Sequence, residues 1–138
     1  MEMCDQHNVL SFQMNHLAEK NWTKMNLVQF MDCNKPEILE SGQIMATSFL
    51  IKKSSETLDL INEWLKICSL EWTIDDSPST INNDLSFKDH RHDQSVFSLL
   101  RKKMNYFCIE DETYPSKTNN WNDPCVFNVP ILSTRRKF

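Results

Sequence analysis

Between Asn8 and Met14 apolar and polar residues alternate, the period-two pattern of a strand with one buried face. A polar break from His16 to Trp22 follows. Thr23 then reads as a helix N-cap before Met25, Leu27, Val28, Phe30 and Met31, and Asn34-Lys35-Pro36 closes that helix. Ile38 to Ser41 reads as a short connector. Ile44 to Ile51 is almost continuously apolar, which predicts a buried central strand. Ser54 or Ser55 caps the strongest helical pattern, with Leu58, Ile61, Trp64 (or Leu65) and Cys68 on one face. Ser69 to Lys88 is polar and contains Pro78, so it reads as a long loop, a kind of segment that is usually functional or disordered. A second amphipathic helix spans Asp93 to Lys103, with Val96, Phe97, Leu99 and Leu100 inward. Tyr106 to Ile109 is a short strand. From Glu110 onward the chain reads as irregular, with Pro115, Pro124, Pro130 and an apolar patch at Val126 to Leu132. The order strand, helix, strand, helix, strand predicts an α/β layered fold, and 138 residues suit a single domain over 1–138.

The net charge of −4 and the lack of a basic stripe argue against a nucleic-acid binder. Five cysteines, Cys4, Cys33, Cys68, Cys108 and Cys125, lie scattered without a C-x-x-C pair, which disfavours a disulfide framework or a structural zinc site. Reduced thiols, no apolar run of membrane-spanning length and no leader-like start give a cytoplasmic expectation. A single glycine means that turns needing positive φ must be built from Asn and Asp. It also excludes glycine-rich phosphate loops.

Four groupings carry candidate chemistry. His90 and His92, two apart on an extended segment, face one way and suit a metal ion completed by Asp89, Asp93 or the Asp75-Asp76 pair; equally, they suit the capping of loop carbonyls. Asp93-Gln94 stands at a helix start, where backbone N–H groups hold a carboxylate in place. The bland reading of that aspartate is an N-cap. Asp75-Asp76-Ser77-Pro78 reads first as a turn and second as an oxygen site for a divalent cation. Trp22, between Lys20 and Lys24, suits either stacking on a sugar or base or stapling its helix to the core.

The run Phe87 to Leu100, FKDHRHDQSVFSLL, resembles the HRHDQS-type signature of a family of nucleotide-sugar glycosyltransferases with the GT-A fold. Further segments resemble the same family in the same order. They are SFQMNHLAEKNWTKMNLVQFM (Ser11 to Met31), ESGQIMATSFLIKKSSETLDLINEWLKIC (Glu40 to Cys68), IDDSPS, ETY at Glu112 to Tyr114, and PILSTRRK near the end. The resemblance covers roughly residues 9 to 136 and corresponds to the C-terminal portion of the family's domain. It implies a partial GT-A-like three-layer fold with a mixed sheet, acting as a hexosyltransferase-class enzyme on a nucleotide sugar and a glycan or other acceptor.

By resemblance, Asp93 and Gln94 are the catalytic pair, contacting the donor sugar or stabilising positive charge at its anomeric carbon. Trp22 and Gln43 would shape the sugar pocket, while Lys24 and Arg91 offset the charge of the departing diphosphate. His90 and His92 would meet diphosphate oxygens or an Mn²⁺ or Mg²⁺ ion. The chain departs from the family in two respects: it has no D-x-D-like motif, and Asn26 stands where the family has an aspartate after W-T-K. The resemblance therefore implies a nucleotide-binding half supplied by another chain or another segment. Two readings compete with it. One is a non-catalytic α/β interaction or carbohydrate-binding module derived from such an enzyme. The other is a metal hydrolase built on His90, His92 and Asp75 or Asp76.

Overall fold

The computed structural model describes residues 7–112 and shows an α/β arrangement around a three-stranded mixed sheet. Strand β1 (Val9–Ala18) lies in the middle, antiparallel to β2 (Gly42–Ile51) and parallel to β3 (Cys108–Glu110). The apolar run of β2 predicts the central strand, and the structure corrects this. Only Gly42 to Met45 of β2 are buried; Leu50 and Ile51 are exposed at its far end. An apolar run measures how much of a strand is covered, not how many strands flank it. β1 also extends to Ala18, past the alternation that marks it in the sequence. The ETY segment beyond Glu112, the apolar patch near residue 130 and the final PILSTRRK lie outside the described residues.

Two short helices, α1 (Glu19–Trp22) and α2 (Met25–Phe30), follow β1, and α3 (Pro36–Leu39) starts on a proline whose missing N–H costs nothing there. The stretch read as a connector is therefore helical at Ile38 and Leu39, with a turn at Glu40 and a bend at Ser41. Thr23 is not the cap of α2: Lys24 holds that position, and the Thr23 hydroxyl donates inward to Glu19 Oε1 at 2.6 Å. Helix α4 (Ser55–Cys68) begins on Ser54 in a capping box, with Ser54 Oγ accepting from Thr57 N and Ser54 N donating to Thr57 Oγ1. Its inward face is Thr57, Leu60 and Ile67, with Trp64 half-buried beside them, whereas Leu58 and Leu65 point to solvent. Of the face predicted from the spacing, Trp64 and Cys68 pack against the core and Ile61 is half-buried, while Leu58 faces solvent because the buried stripe runs through Leu60.

Helix α5 (His92–Lys103) occupies the centre, and residues Gln94 to Arg101 are all buried. Val96, Leu99 and Leu100 pack with Leu27, Val28 and Met31 of the α2 region and with Leu60 and Ile67 of α4. Phe97 lies between Phe49 and Trp64, at ring-centroid distances of 4.9 and 4.7 Å. Truncating a buried aromatic of this kind typically costs about 3–5 kcal/mol. A smaller cluster, Phe12, Met14 and Met45 with Leu17 and Ile109, forms separately. Sequence and structure agree on the inward-facing apolar residues of α5.

The glycine economy resolves as the composition requires. Asp32 (φ 57°) and Asn105 (φ 52°) end α2 and α5 in left-handed conformations. In each, two backbone bonds close a Schellman motif: Asp32 N to Gln29 O and Cys33 N to Val28 O, then Asn105 N to Lys102 O and Tyr106 N to Arg101 O. Gly42 stands where β2 crosses β1; a Cβ there would meet Met14 O at 2.3 Å and Asn15 Cα at 2.6 Å. That close approach permits the β1–β2 pairing around Ala18. Among the described residues, no helix is long and apolar enough to cross a membrane.

Candidate functional site

The loop after the 3₁₀ turn Glu71–Thr73 is shaped by side chains bound to the α1–α2 junction. Lys24 Nζ donates to Asp75 Oδ1 at 2.9 Å and to Asp75 O at 3.1 Å. Met25 N donates to Asn83 Oδ1, Asn26 N to Ser79 Oγ, and Lys88 N to Asn21 O. Arg91 N completes the series by donating to Trp22 O at 3.1 Å. So anchored, the loop delivers Asp89 to Gln94 to the start of α5. His92 enters the helix at φ 49°, a left-handed backbone that histidine tolerates only under constraint.

The result is a cleft of about 350 Å³ lined by Asp89, His90, Arg91, His92, Asp93 and Gln94 against Ala46 and Thr47. The two β2 residues stand in an irregular stretch: Ser11 pairs with Phe49 and Gln13 with Ile44, so β2 carries extra residues between those pairs. Asp93 is exposed in the first turn of α5, where a negative charge is favoured by the helix dipole, and its carbonyl accepts from Trp64 Nε1. Five residues singled out from the sequence thus meet in one cavity: His90, Arg91, His92, Asp93 and Gln94.

Trp22, Lys24 and Gln43 do not line it. Trp22 is half-buried, with Lys88 Nζ at 5.5 Å and Arg91 Cζ at 5.6 Å from its ring. It thereby orders the guanidinium that borders the cleft, whose pKa burial pushes down. Lys24 is 1% exposed and its ammonium is surrounded by Asp75 and Ser77 oxygens, so it braces the loop and does not face a departing diphosphate. A second cavity of about 490 Å³, lined by Lys24, Asp76, Ser79, Asn83, Phe87 and Asp89 among others, adjoins the first along Asp89 and His90. Asp75-Asp76 takes the turn reading: Asp75 Oδ1 accepts from Ser77 N and Ser77 Oγ. The Ser77 hydroxyl and then Lys24 hold its carboxyl down at about 2.

The residues present do not fit a metal ion held by both histidines. His90 Nε2 faces Thr73 O at 2.8 Å and its Nδ1 faces Lys24 N at 3.5 Å, so both ring nitrogens are engaged within the protein. Burial pushes its pKa down, with the Lys24 and His92 charges acting in the same direction against the Thr73 carbonyl. His92 Nε2 meets Asp76 Oδ1 at 2.7 Å on the surface. Among the described residues no group of three or more His, Cys, Asp or Glu side chains could hold an ion, and Asp75 is already bound to Lys24.

Beneath the cleft lies a buried polar network that the sequence reading missed. Glu19, 0% exposed, accepts from Thr23 Oγ1 and Gln43 Nε2 on one oxygen and from Ser98 Oγ and Lys102 Nζ on the other. Gln43, also 0% exposed, has Thr23 Oγ1 at 3.0 Å and Ser95 Oγ at 3.2 Å sharing the second hydrogen of the same amide nitrogen, and its Oε1 lies 2.9 Å from the Gln94 amide. The signal for this network was present: Gln94, Ser98 and Lys102 recur every four residues, a polar stripe on a helix otherwise read only for its apolar face. No family model, curated protein or solved structure matches the chain.

Proposed function

We propose that this chain forms the donor-sugar side of a GT-A-type glycosyltransferase site, with the nucleotide-binding side supplied from elsewhere. The observation that carries the reading is the single cleft that gathers Arg91, Asp93 and Gln94 against β2. In the proposed reaction, an acceptor hydroxyl oxygen bonds to the sugar's anomeric carbon as that carbon's bond to the diphosphate oxygen breaks, and the hydroxyl proton leaves with the diphosphate. Positive charge grows at the anomeric carbon, and a carboxylate in the first turn of a helix stabilises it. Asp93 takes that role, Gln94 orients a sugar hydroxyl, and Arg91 offsets charge on the leaving diphosphate. No step is assigned to a metal ion, because His90 offers no free nitrogen in this arrangement.

The test is a thermal melt of the chain with UDP- and GDP-sugars in the presence of Mn²⁺. A donor at 100 times its Kd adds about 2.7 kcal/mol, a rise of roughly 6–12 °C at this size. The reading requires that rise to depend on the diphosphate, which Arg91 meets, as well as on the sugar, and to vanish in Asp93→Ala.

A second reading, a sugar-binding module without catalysis, draws support from the inward-facing Lys24, which leaves fewer cations for a diphosphate. It expects free monosaccharides to shift Gln94 and Asp93 resonances while the nucleotide portion adds nothing.

A further inference from the structure

The orientation of one amide decides what the cleft offers a ligand. Arg91 Nη1 and Nε stand 3.1 and 3.2 Å from the same end of the Gln94 amide that lies 2.9 Å from Gln43 Oε1. An amide nitrogen placed there donates to Gln43 and leaves the two Arg91 donors beside it without an acceptor. An amide oxygen placed there accepts from Arg91 and sets two oxygens face to face. The choice passes to Gln43, and from Gln43 to Glu19. A carboxylate has only acceptors to offer, and Glu19 Oε1 is 3.1 Å from the Gln43 amide. Gln43 must therefore present Nε2 to Glu19 and Oε1 to Gln94, so Gln94 must answer with Nε2.

We infer that Glu19 is a positioning residue for the cleft: through Gln43 it fixes the Gln94 amide nitrogen inward, which leaves the Arg91 fork for an anionic oxygen of the ligand. The Lys102 ammonium and the Ser98 hydroxyl hold the other Glu19 oxygen, so the carboxylate cannot rotate away from its task. Arg91 keeps its ring contact with Trp22, and its Nε and Nη1 donors match the paired oxygens of a phosphate or carboxylate. Naming that ligand as a nucleotide sugar rests on the proposed function; the relay itself stands on the hydrogen-bond geometry alone.

A double-mutant cycle in the full chain tests the relay without any ligand. Glu19 and Gln94 share no contact, so independent losses would add. With the cycle run in an Arg91→Met background, so that no guanidinium pairs with the new carboxylate, Gln94→Glu sets a carboxylate oxygen against Gln43 Oε1 and lowers the denaturation midpoint. In Glu19→Gln the new amide can donate to Gln43 Oε1, letting Gln43 turn over and offer Nε2 to the introduced carboxylate. The expected result is a smaller loss from Gln94→Glu in the Glu19→Gln background, with the coupling abolished by Gln43→Leu. Additive losses overturn the relay.

If Glu19→Gln does not fold, the wild-type chain still decides the matter. Nuclear Overhauser contacts from the Gln43 side-chain NH₂ are expected to be stronger to Thr23 and Ser95 protons than to the Gln94 amide, and the reverse order overturns it. Pyrophosphate as the probe is expected to shift the Arg91 Nε–H resonance, and an unmoved resonance overturns the ligand half of the inference. A failed nucleotide-sugar melt beside a positive cycle would remove the donor reading and leave the relay standing.

Discussion

Glu19 and Lys102 meet at 2.5 Å between the start of α1 and the last turn of α5, with side-chain exposures of 0% and 9%. Removing one partner of a buried pair strands the other charge, at a cost of about 3–5 kcal/mol. Glu19→Ala is therefore expected to lower stability by that order in guanidinium titrations. Combining Glu19→Gln with Lys102→Met should lose less than Glu19→Ala, since no ammonium remains uncompensated. A Glu19→Ala variant that unfolds at the wild-type midpoint would show that the pair holds nothing together.

Lys24 ties the loop to the α1–α2 junction through two acceptor residues, Asp75 and Ser77. Lys24→Met keeps most of the buried stem and removes the ammonium. The expected outcome is a local one: faster protease cleavage between residues 74 and 91, and weaker hydrogen-exchange protection at Met25 and Asn26, whose N–H groups bond to Asn83 and Ser79 of the same loop. An unchanged cleavage pattern would mean that the remaining backbone bonds hold the loop without Lys24.

Helix existence was readable because α4 and α5 each carry a sustained 3.6-residue pattern and an obvious start or end signal. Which face turns inward is legible for α5, whose apolar residues are contiguous, and only in part for α4, where Trp64 and Cys68 meet the core but tertiary contacts choose Leu60 over Leu58. The cleft residues were legible because local sequence places Asp89 to Gln94 together. That Lys24 turns to the loop was not legible, because its partners lie about fifty residues away and a single sequence does not show such a meeting. Glu19 went unread for a related reason. A buried carboxylate is recognised by its partners, and Gln43, Ser98 and Lys102 reach it only through the fold.

The two left-handed helix ends make a sharp stereochemical forecast. Asn105 at φ 52° sits where a β-branched side chain crowds the backbone. Asn105→Val should destabilise by about 1–2 kcal/mol, and Asn105→Gly should be neutral or mildly stabilising. The same ordering is expected at Asp32, φ 57°. Equal midpoints for the valine and glycine variants would contradict the Schellman geometry at both ends.

His90 gives the chain a dependence on pH whose sign follows from its surroundings. The Thr73 carbonyl requires a proton on Nε2, and the Lys24 N–H opposite Nδ1 requires none there, so the folded ring is neutral. Burial, first among the causes, holds its pKa below the ordinary 6.5. Above pH 6.5 the ring is neutral in folded and unfolded chains, and its full contribution is present. As pH falls below 6.5 the unfolded chain takes up a proton that the folded chain refuses, so stability declines until the folded pKa is reached. The slope is at most about 1.36 kcal/mol per pH unit for one group. Asp75 acts in a separate window, losing its contribution between 3.8 and about 2. Melting temperatures measured from pH 8 to pH 5 should therefore fall on the acid side. The fall should be shallower in His90→Gln, which keeps a donor for Thr73 but cannot titrate. Parallel curves for the two proteins would show that the ring titrates alike in both states, contrary to the buried, doubly engaged imidazole seen here.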